Sequence, residues 1–508
     1  MNQTEIQNHD ARSLANYRKG NLLILLATAV VIFVSAKSLR AQTNAYWDIN
    51  GTTNGQGGTG TLGAGTVGWT TNAVNASAAS GGPIGGGLFA ITNGAAGTAS
   101  ITNSGGYILN FGGTAGTLTI SSSANYQIYG INILTNGYVF SSTGNRTLTM
   151  SNGYGFNLSN FSTTFGNGAA GANSLTLVGD IVATNGAAIT LSNTTAGSGN
   201  FGFYVNNGTV SSNATITIQT LSTNRVILGI NSSSSNSTFN SAIVNNSSGG
   251  TPLELTNTSG GSLTFNGVIS GGNAVVVNNW NGKLILNGAN TYTGGTTINS
   301  SNSSGQVEFG NSSAFGSGSI TIGSAGTNYV RANVNNLNIA NAVAINSGST
   351  LRLGATNTGH KSTWSGAISG AGNLLYSVSD NGLYLTATNS SFGGGVTIGS
   401  SGKLFATSLG MAGSSSSLGT NGTITISGNS GVSTLQWLGT SNETSDKIFT
   451  LNGSNATNAG INIYAGDNSA GSGGTNVTLT LSGNINSSAN ANQTVTLVPP
   501  EPAELSTA

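Results

Sequence analysis

Residues 284–300 read LILNGANTYTGGTTINS. An apolar, extended run breaks at Asn287-Gly288, presents Tyr292, breaks again at Gly294-Gly295 and resumes as Thr296-Thr297-Ile298. The stretch holds no acid, base, histidine or cysteine, so its information is architectural. Leu, Ile and Thr favour a pleated, half-buried strand. Asn and Gly supply turn positions through local side-chain hydrogen bonds and positive φ. The segment therefore reads as strand, corner, strand.

The same pattern runs through the chain. Apolar-Thr-apolar triplets recur at Leu118-Thr119-Ile120, Leu148-Thr149-Met150, Leu175-Thr176-Leu177 and Ile216-Thr217-Ile218. They continue at Leu263-Thr264-Phe265, Ile320-Thr321-Ile322, Ile424-Thr425-Ile426 and Leu479-Thr480-Leu481. Period-two alternation turns the aliphatics to one side and the threonines to the other. Gaps between triplets exceed the two to five residues of ordinary hairpin loops. A parallel solenoid accounts for them, each strand stacking about 4.8 Å above its predecessor with Asn and Gly at the corners. The competing architecture is an array of antiparallel β-sandwiches.

A longer repeat is superimposed. FNGVISGGNAVVVNNWNGKLILNGANTYTGGTTI spans 265–298, and WSGAISGAGNLLYSVSDNGLYLTATNSSFGGGVTI spans 364–398. Phe265 aligns with Trp364, Gly267 with Gly366, Ile269-Ser270 with Ile368-Ser369, and Gly294-Gly295 with Gly393-Gly394. Tyr292 falls opposite Ser391 or, with a shifted gap, Phe392. The downstream segments 314–323 and 417–428 agree more loosely, so the repeats extend over 265–323 and 364–428. Such a unit is expected to span about four coils.

Composition supports this reading. Of 508 residues only 5% are charged, 37% are hydrophobic, 79 are Gly and 5 are Pro. A disordered linker would carry more charge and fewer aliphatics. After Ala41 the sequence holds eight Lys and Arg against ten Asp and Glu. With no basic stripe for phosphates, nucleic-acid binding is disfavoured. Absence of cysteine excludes disulfides and thiolate metal sites. Residues 1–20 are polar, and 22–36 form an apolar run whose helical length, about 22 Å, falls short of a bilayer core. That is the length of a signal-peptide core. Cleavage is expected after Ala41 rather than Ala36, and an uncleaved anchor is the alternative. The expected organisation is a signal peptide at 1–41, a Gly-rich cap at 42–110, a solenoid at 111–498 and a Pro/Glu tail at 499–508.

GKLILNGANTYTGGTTINS at 282–300, with FNGVISG upstream, resembles the autotransporter-associated β-strand repeat family. The likeness is strong over 265–300, weaker over 364–410, and compositional elsewhere. It implies a bacterial exported passenger, a right-handed parallel β-helix of the pectin-lyase-like type, at the cell surface or outside the cell. Secretion-type members end in a membrane β-barrel, which nothing before Ala508 resembles. Pro500-Glu501-Pro502 resembles a Pro-Glu-Pro sorting tail but lacks the apolar helix and basic cluster that should follow. A fragment and a chain secreted whole both remain open.

Catalytic signals are sparse. Lyase or hydrolase chemistry needs grouped carboxylates, or a carboxylate with a cation. Only Glu443 and Asp446 lie close in sequence before the terminal pair, and beside Lys447 they read as a solvated turn with a local ion pair. His360, the sole histidine beyond the leader, reads as part of an exposed turn rather than a Ser-His-Asp triad. Calcium-loop and phosphate-loop patterns fail for want of Asp, Lys and a following helix. No catalytic residue, metal or cofactor is expected. Asn287, Gly288, Asn290, Tyr292, Gly294, Gly295, Asn389, Gly393 and Gly394 are assigned to the structural motif. Trp280, Tyr292 and Trp437 are weaker candidates for stacking on sugars, with core packing favoured. The expected function is a non-enzymatic, adhesin-like exported protein whose partners are glycans or other surface proteins, touching membrane only through 22–36. The alternatives are a carbohydrate-active β-helix enzyme and a truncated, inactive passenger.

Overall fold

A computed structural model describes the chain from Tyr107 to Asn452 with short internal gaps, and isolated strands on either side between Thr43 and Val498. The signal peptide expected at 1–41, the tail at 499–508 and Trp280 lie outside the described residues.

Strand follows strand around three faces, and each pairs in parallel with the strand one coil away. On one face Ser262–Phe265, Lys283–Leu286, Gln306–Phe309, Gly326–Ala332 and Ser349–Ala355 stack in order. On another, Val275–Asn279, Thr296–Asn299, Ile320–Ile322, Val343–Ile345 and Ile368–Gly370 do the same. Among the described residues two pairings are antiparallel: Thr43–Trp47 with Val67–Thr70, and Val67–Thr70 with Phe89–Ala90. The fold is an all-β parallel solenoid, and the sandwich array is excluded.

The core is a set of ladders. Leu263, Leu284, Val307, Val330 and Leu353 stack on one rail, with Phe265, Leu286, Phe309, Ala332 and Ala355 beside them, all buried. Most triplets behave as alternation requires: Leu118 and Ile120, Ile216 and Ile218, Ile424 and Ile426 point inward, while the threonines between them are partly exposed. Two triplets depart from this: Thr176 is buried, and Leu479 and Leu481 are only partly buried against the core. Each fully buried Leu, Ile or Phe contributes roughly 1.5–3 kcal/mol of transfer free energy, so the ladders dominate the fold.

Corners carry the asparagines. Asn266 donates to Asn240 and Asn287 to Asn266, each at 2.8 Å, and Asn333 reaches Asn287 at 3.1 Å. The last bond passes over Gly310, where a Cβ would lie 2.3 Å from the Asn287 amide oxygen. Inside the corner, Asn257 and Asn279 each donate to two backbone carbonyls, one of them on the next coil (Lys283 and Gln306).

The long repeat is not a whole number of coils. Four rungs above Phe265 the ladder reaches Ala355, nine residues short of Trp364. Trp364 sits on the next strand, Lys361–Trp364, which stacks on Leu337–Ile339. Ile298 likewise leads in three rungs through Ile322 and Ile345 to Gly370, while its counterpart Ile398 lies on Val396–Gly399, which stacks on the next strand round, Asn373–Ser377. The repeat therefore advances four coils and one further face. Each face offers the same environment, a short strand with an aliphatic inside, so the motif fits any of the three.

Candidate functional site

The motif residues act as a clamp between coils. Asn290 is buried; its amide oxygen accepts from the Ile269 N–H at 2.8 Å and its amide nitrogen donates to the Ala314 carbonyl at 2.6 Å. One side chain thus ties three successive coils. Tyr292 is 1% exposed and its hydroxyl meets Thr296 Oγ1 at 2.6 Å. Burial raises its phenol well above the ordinary value. Gly316, at φ +66, closes over the ring, and a Cβ there would lie 2.4 Å from the Tyr292 carbonyl. Gly288 and Gly294 permit close backbone approach to Gly267 and Ala274.

The second copy repeats this with different letters. Ser390 accepts from the Ile368 N–H at 3.0 Å, as Asn290 does from Ile269. Phe392 is fully buried, and Gly419, at φ +73, closes over it at the same 2.4 Å carbonyl approach. Phe392, not Ser391, is therefore the counterpart of Tyr292. Gly394 approaches the preceding coil as Gly294 does, while Gly393 is open. The alignment of Gly294-Gly295 with Gly393-Gly394 is thus corrected by one residue. Asn389 lies in an exposed turn, and the clamping role expected of it falls on Ser390.

Of the sugar-stacking candidates, the two among the described residues have no open ring face. Tyr292 is in the core, and Trp437 is fully buried with its indole N–H donating to Glu443 at 2.5 Å.

Each described carboxylate is held by its own donors. Asp180 accepts from the Thr209 N–H at 2.7 Å. Glu254 meets Arg225 at 3.5 Å, and Glu308 meets Arg331 at 2.6 Å and Lys283 at 3.6 Å. Asp380 accepts from Tyr376, from Ala355 N–H at 2.8 Å and from Gly382 N–H at 3.0 Å; burial pushes its carboxyl up. Glu443 accepts from the N–H groups of Leu409 and Gly410, and Asp446 from that of Ala412. Lys447 is fully buried, donates to the carbonyls of Gly419 and Asn421, and is lowered by desolvation. The expected solvated turn is instead a three-residue clamp on the loop at 409–422. These contacts lie 26 to 34 residues away in sequence, so proximity within NETSDK carried no sign of them. His360 is only partly exposed, and its Nδ1 is buried with no hydrogen-bond partner. No group of three or more His, Cys, Asp or Glu among the described residues could hold a metal.

One concavity went unnoticed in the sequence. A cleft of about 390 Å³ opens on the outer side of strands Asn145–Met150, Gly171–Val178, Ser198–Asn206 and Val226–Ile230. Gly202 lies between Ser174 and Ile227 in the stack, and Gly229 between Tyr204 and Thr256. Gly202 lines the cleft, and its missing side chain makes room for a neighbouring ring. The Tyr204 side chain folds back over Gly202, whose Cβ would stand 2.5 Å from the ring. Burial, then the Glu254 charge, raise its phenol. Asn206 donates to Asn231 at 2.9 Å, and Asn231 to Thr176 at 3.1 Å, bracing that side. Arg146 lies on the opposite wall, its guanidinium on the carbonyls of Asn145 at 3.1 Å and Thr143 at 3.4 Å. Only a glycine at an outward position of the stack signals such a cleft, and it appears once the register is known. Comparison with protein-family models, curated proteins and solved structures finds no match to this chain.

Proposed function

We propose that this chain is an exported, non-enzymatic surface or extracellular protein, adhesin-like, built on an autotransporter-associated type of repeat. The observation carrying this reading is the commitment of the carboxylates. Every described Asp and Glu is engaged by a backbone N–H, a tyrosine or indole donor, or an ion pair. A general acid or base needs a carboxyl within reach of substrate, and these are committed to structural contacts within the coils. What the rod offers instead is a neutral surface of Thr, Ser and Asn, suited to hydrogen-bonding glycans or like surfaces. Membrane contact is assigned to residues 22–36 alone.

Two measurements test the reading. N-terminal sequencing of chain secreted by a bacterial host should begin at Gln42; retention of residues 1–41 in a cytoplasmic product contradicts export. The purified chain should bind members of a glycan array and release no product from them. New reducing ends or unsaturated sugars would establish the carbohydrate-active enzyme instead.

A further inference from the structure

We infer that the cleft beside Gly202 binds a short acidic oligosaccharide, with Tyr204 as its stacking surface and Arg146 as its anion contact. This deepens the adhesive reading and rests on it.

The argument begins with shape. At about 390 Å³ the cleft falls within the ordinary range of ligand sites, roughly 300–1,000 Å³. Four stacked strands give it a length of about three rung spacings, roughly 14 Å. That suits a chain molecule lying along the rod axis better than a compact metabolite.

Lining chemistry narrows the class. The walls present amides from Asn145, Asn200 and Asn231 and hydroxyls from Ser174 and Thr176. Amides and hydroxyls both donate and accept, which matches a polyol whose every hydroxyl does the same. Among them stands one aromatic ring, half-buried and laid back over a glycine, apolar in body and polar at its tip. A lipid would find little apolar wall to cover it, and a nucleic acid would need several cations.

Charge completes the assignment. Arg146 is the only charged residue lining the cleft, and no Asp or Glu lines it. A guanidinium presents a planar fork matched to carboxylate or sulfate. Its position on the Asn145 and Thr143 carbonyls fixes it at one end of the trough. An oligosaccharide carrying a uronate or sulfate therefore complements the cleft better than its neutral analogue.

The test uses calorimetric titration of the full chain with a glucuronate-containing tetrasaccharide and with the same tetrasaccharide after reduction of its carboxylates to hydroxymethyl groups. Wild type should bind the acidic probe at least tenfold more tightly than the reduced one. Arg146→Gln should remove that preference, and Tyr204→Ala should weaken both probes about tenfold, with the thermal midpoint unchanged. If Tyr204→Ala lowers the midpoint, Asn145→Trp, an exposed rim position, should block both probes instead. Absence of binding to either probe overturns the site. Binding that ignores all three substitutions also overturns it, while leaving the adhesive reading intact. Cleavage of the bound probe would overturn the non-enzymatic reading and leave the cleft standing.

Discussion

At position 292 the ring matters more than the hydroxyl. Phe392 fills the equivalent place in the second copy with no hydroxyl at all, and both rings lie under a left-handed glycine. Tyr292→Phe should therefore cost only about 1 kcal/mol, the usual worth of one hydrogen bond. Tyr292→Ala should cost about 3–5 kcal/mol through the cavity it leaves; denaturant midpoints separate the two. Gly316→Ala places a Cβ against a backbone carbonyl at φ +66 and should cost more than about 1 kcal/mol. Much of this was legible: an Asn, an aromatic and a Gly pair in one sentence announce a tight corner. Asn389 stands outside the clamp because reach, not letter identity, selects the clamping residue. Ser390 and Asn290 each accept one buried N–H, and either short polar side chain can do so.

Among the elements, the loop at 409–422 depends most on distant side chains. Glu443 receives two adjacent N–H groups, of Leu409 and Gly410, and the Trp437 indole. Glu443→Gln turns an amide N–H₂ toward donors and should weaken the loop by about 1–3 kcal/mol. Hydrogen exchange should then speed at Leu409 and Gly410 while the Ile424–Ile426 rung keeps its protection; uniform loss along the rod would contradict a local clamp. Strand existence and facing were readable from the apolar-Thr-apolar alternation, since burial repeats every second residue. The clamp was not, because its partners meet only after the chain has completed a coil. The cleft was hidden for the same reason: Gly202 is an ordinary loop-forming letter until the fold lays the Tyr204 ring over it.

For the molecule as a whole, the parallel stack was legible from gaps too long for hairpins, but the rotation of the repeat was not. A unit of four coils and one face cannot be distinguished from four coils until the rungs are counted. The core's chemistry predicts an alkaline limit. Tyr292 and Tyr376, both in the core, are raised above the ordinary value near 10, chiefly by burial. A phenol raised in the folded state contributes its full stability below the unfolded value, and that contribution is lost as pH climbs toward the folded one. Stability should hold up to about pH 10 and fall beyond it, with ultraviolet titration showing these rings ionising only as the β signal collapses. Smooth ionisation of every tyrosine in an intact fold would contradict their burial. The central claim is coil-on-coil register, and a chain with no cysteine of its own allows it to be tested by crosslinking. Thr297 and Thr321 face outward on neighbouring rungs, with Ala344 one rung beyond. Neighbouring rungs stand about 4.8 Å apart, within the disulfide range of about 4.4–6.8 Å, and alternate rungs do not. Thr297→Cys with Thr321→Cys should oxidise readily to an intramolecular disulfide, and Thr297→Cys with Ala344→Cys should stay reduced. A reduced first pair, or equal closure of both, would contradict the solenoid.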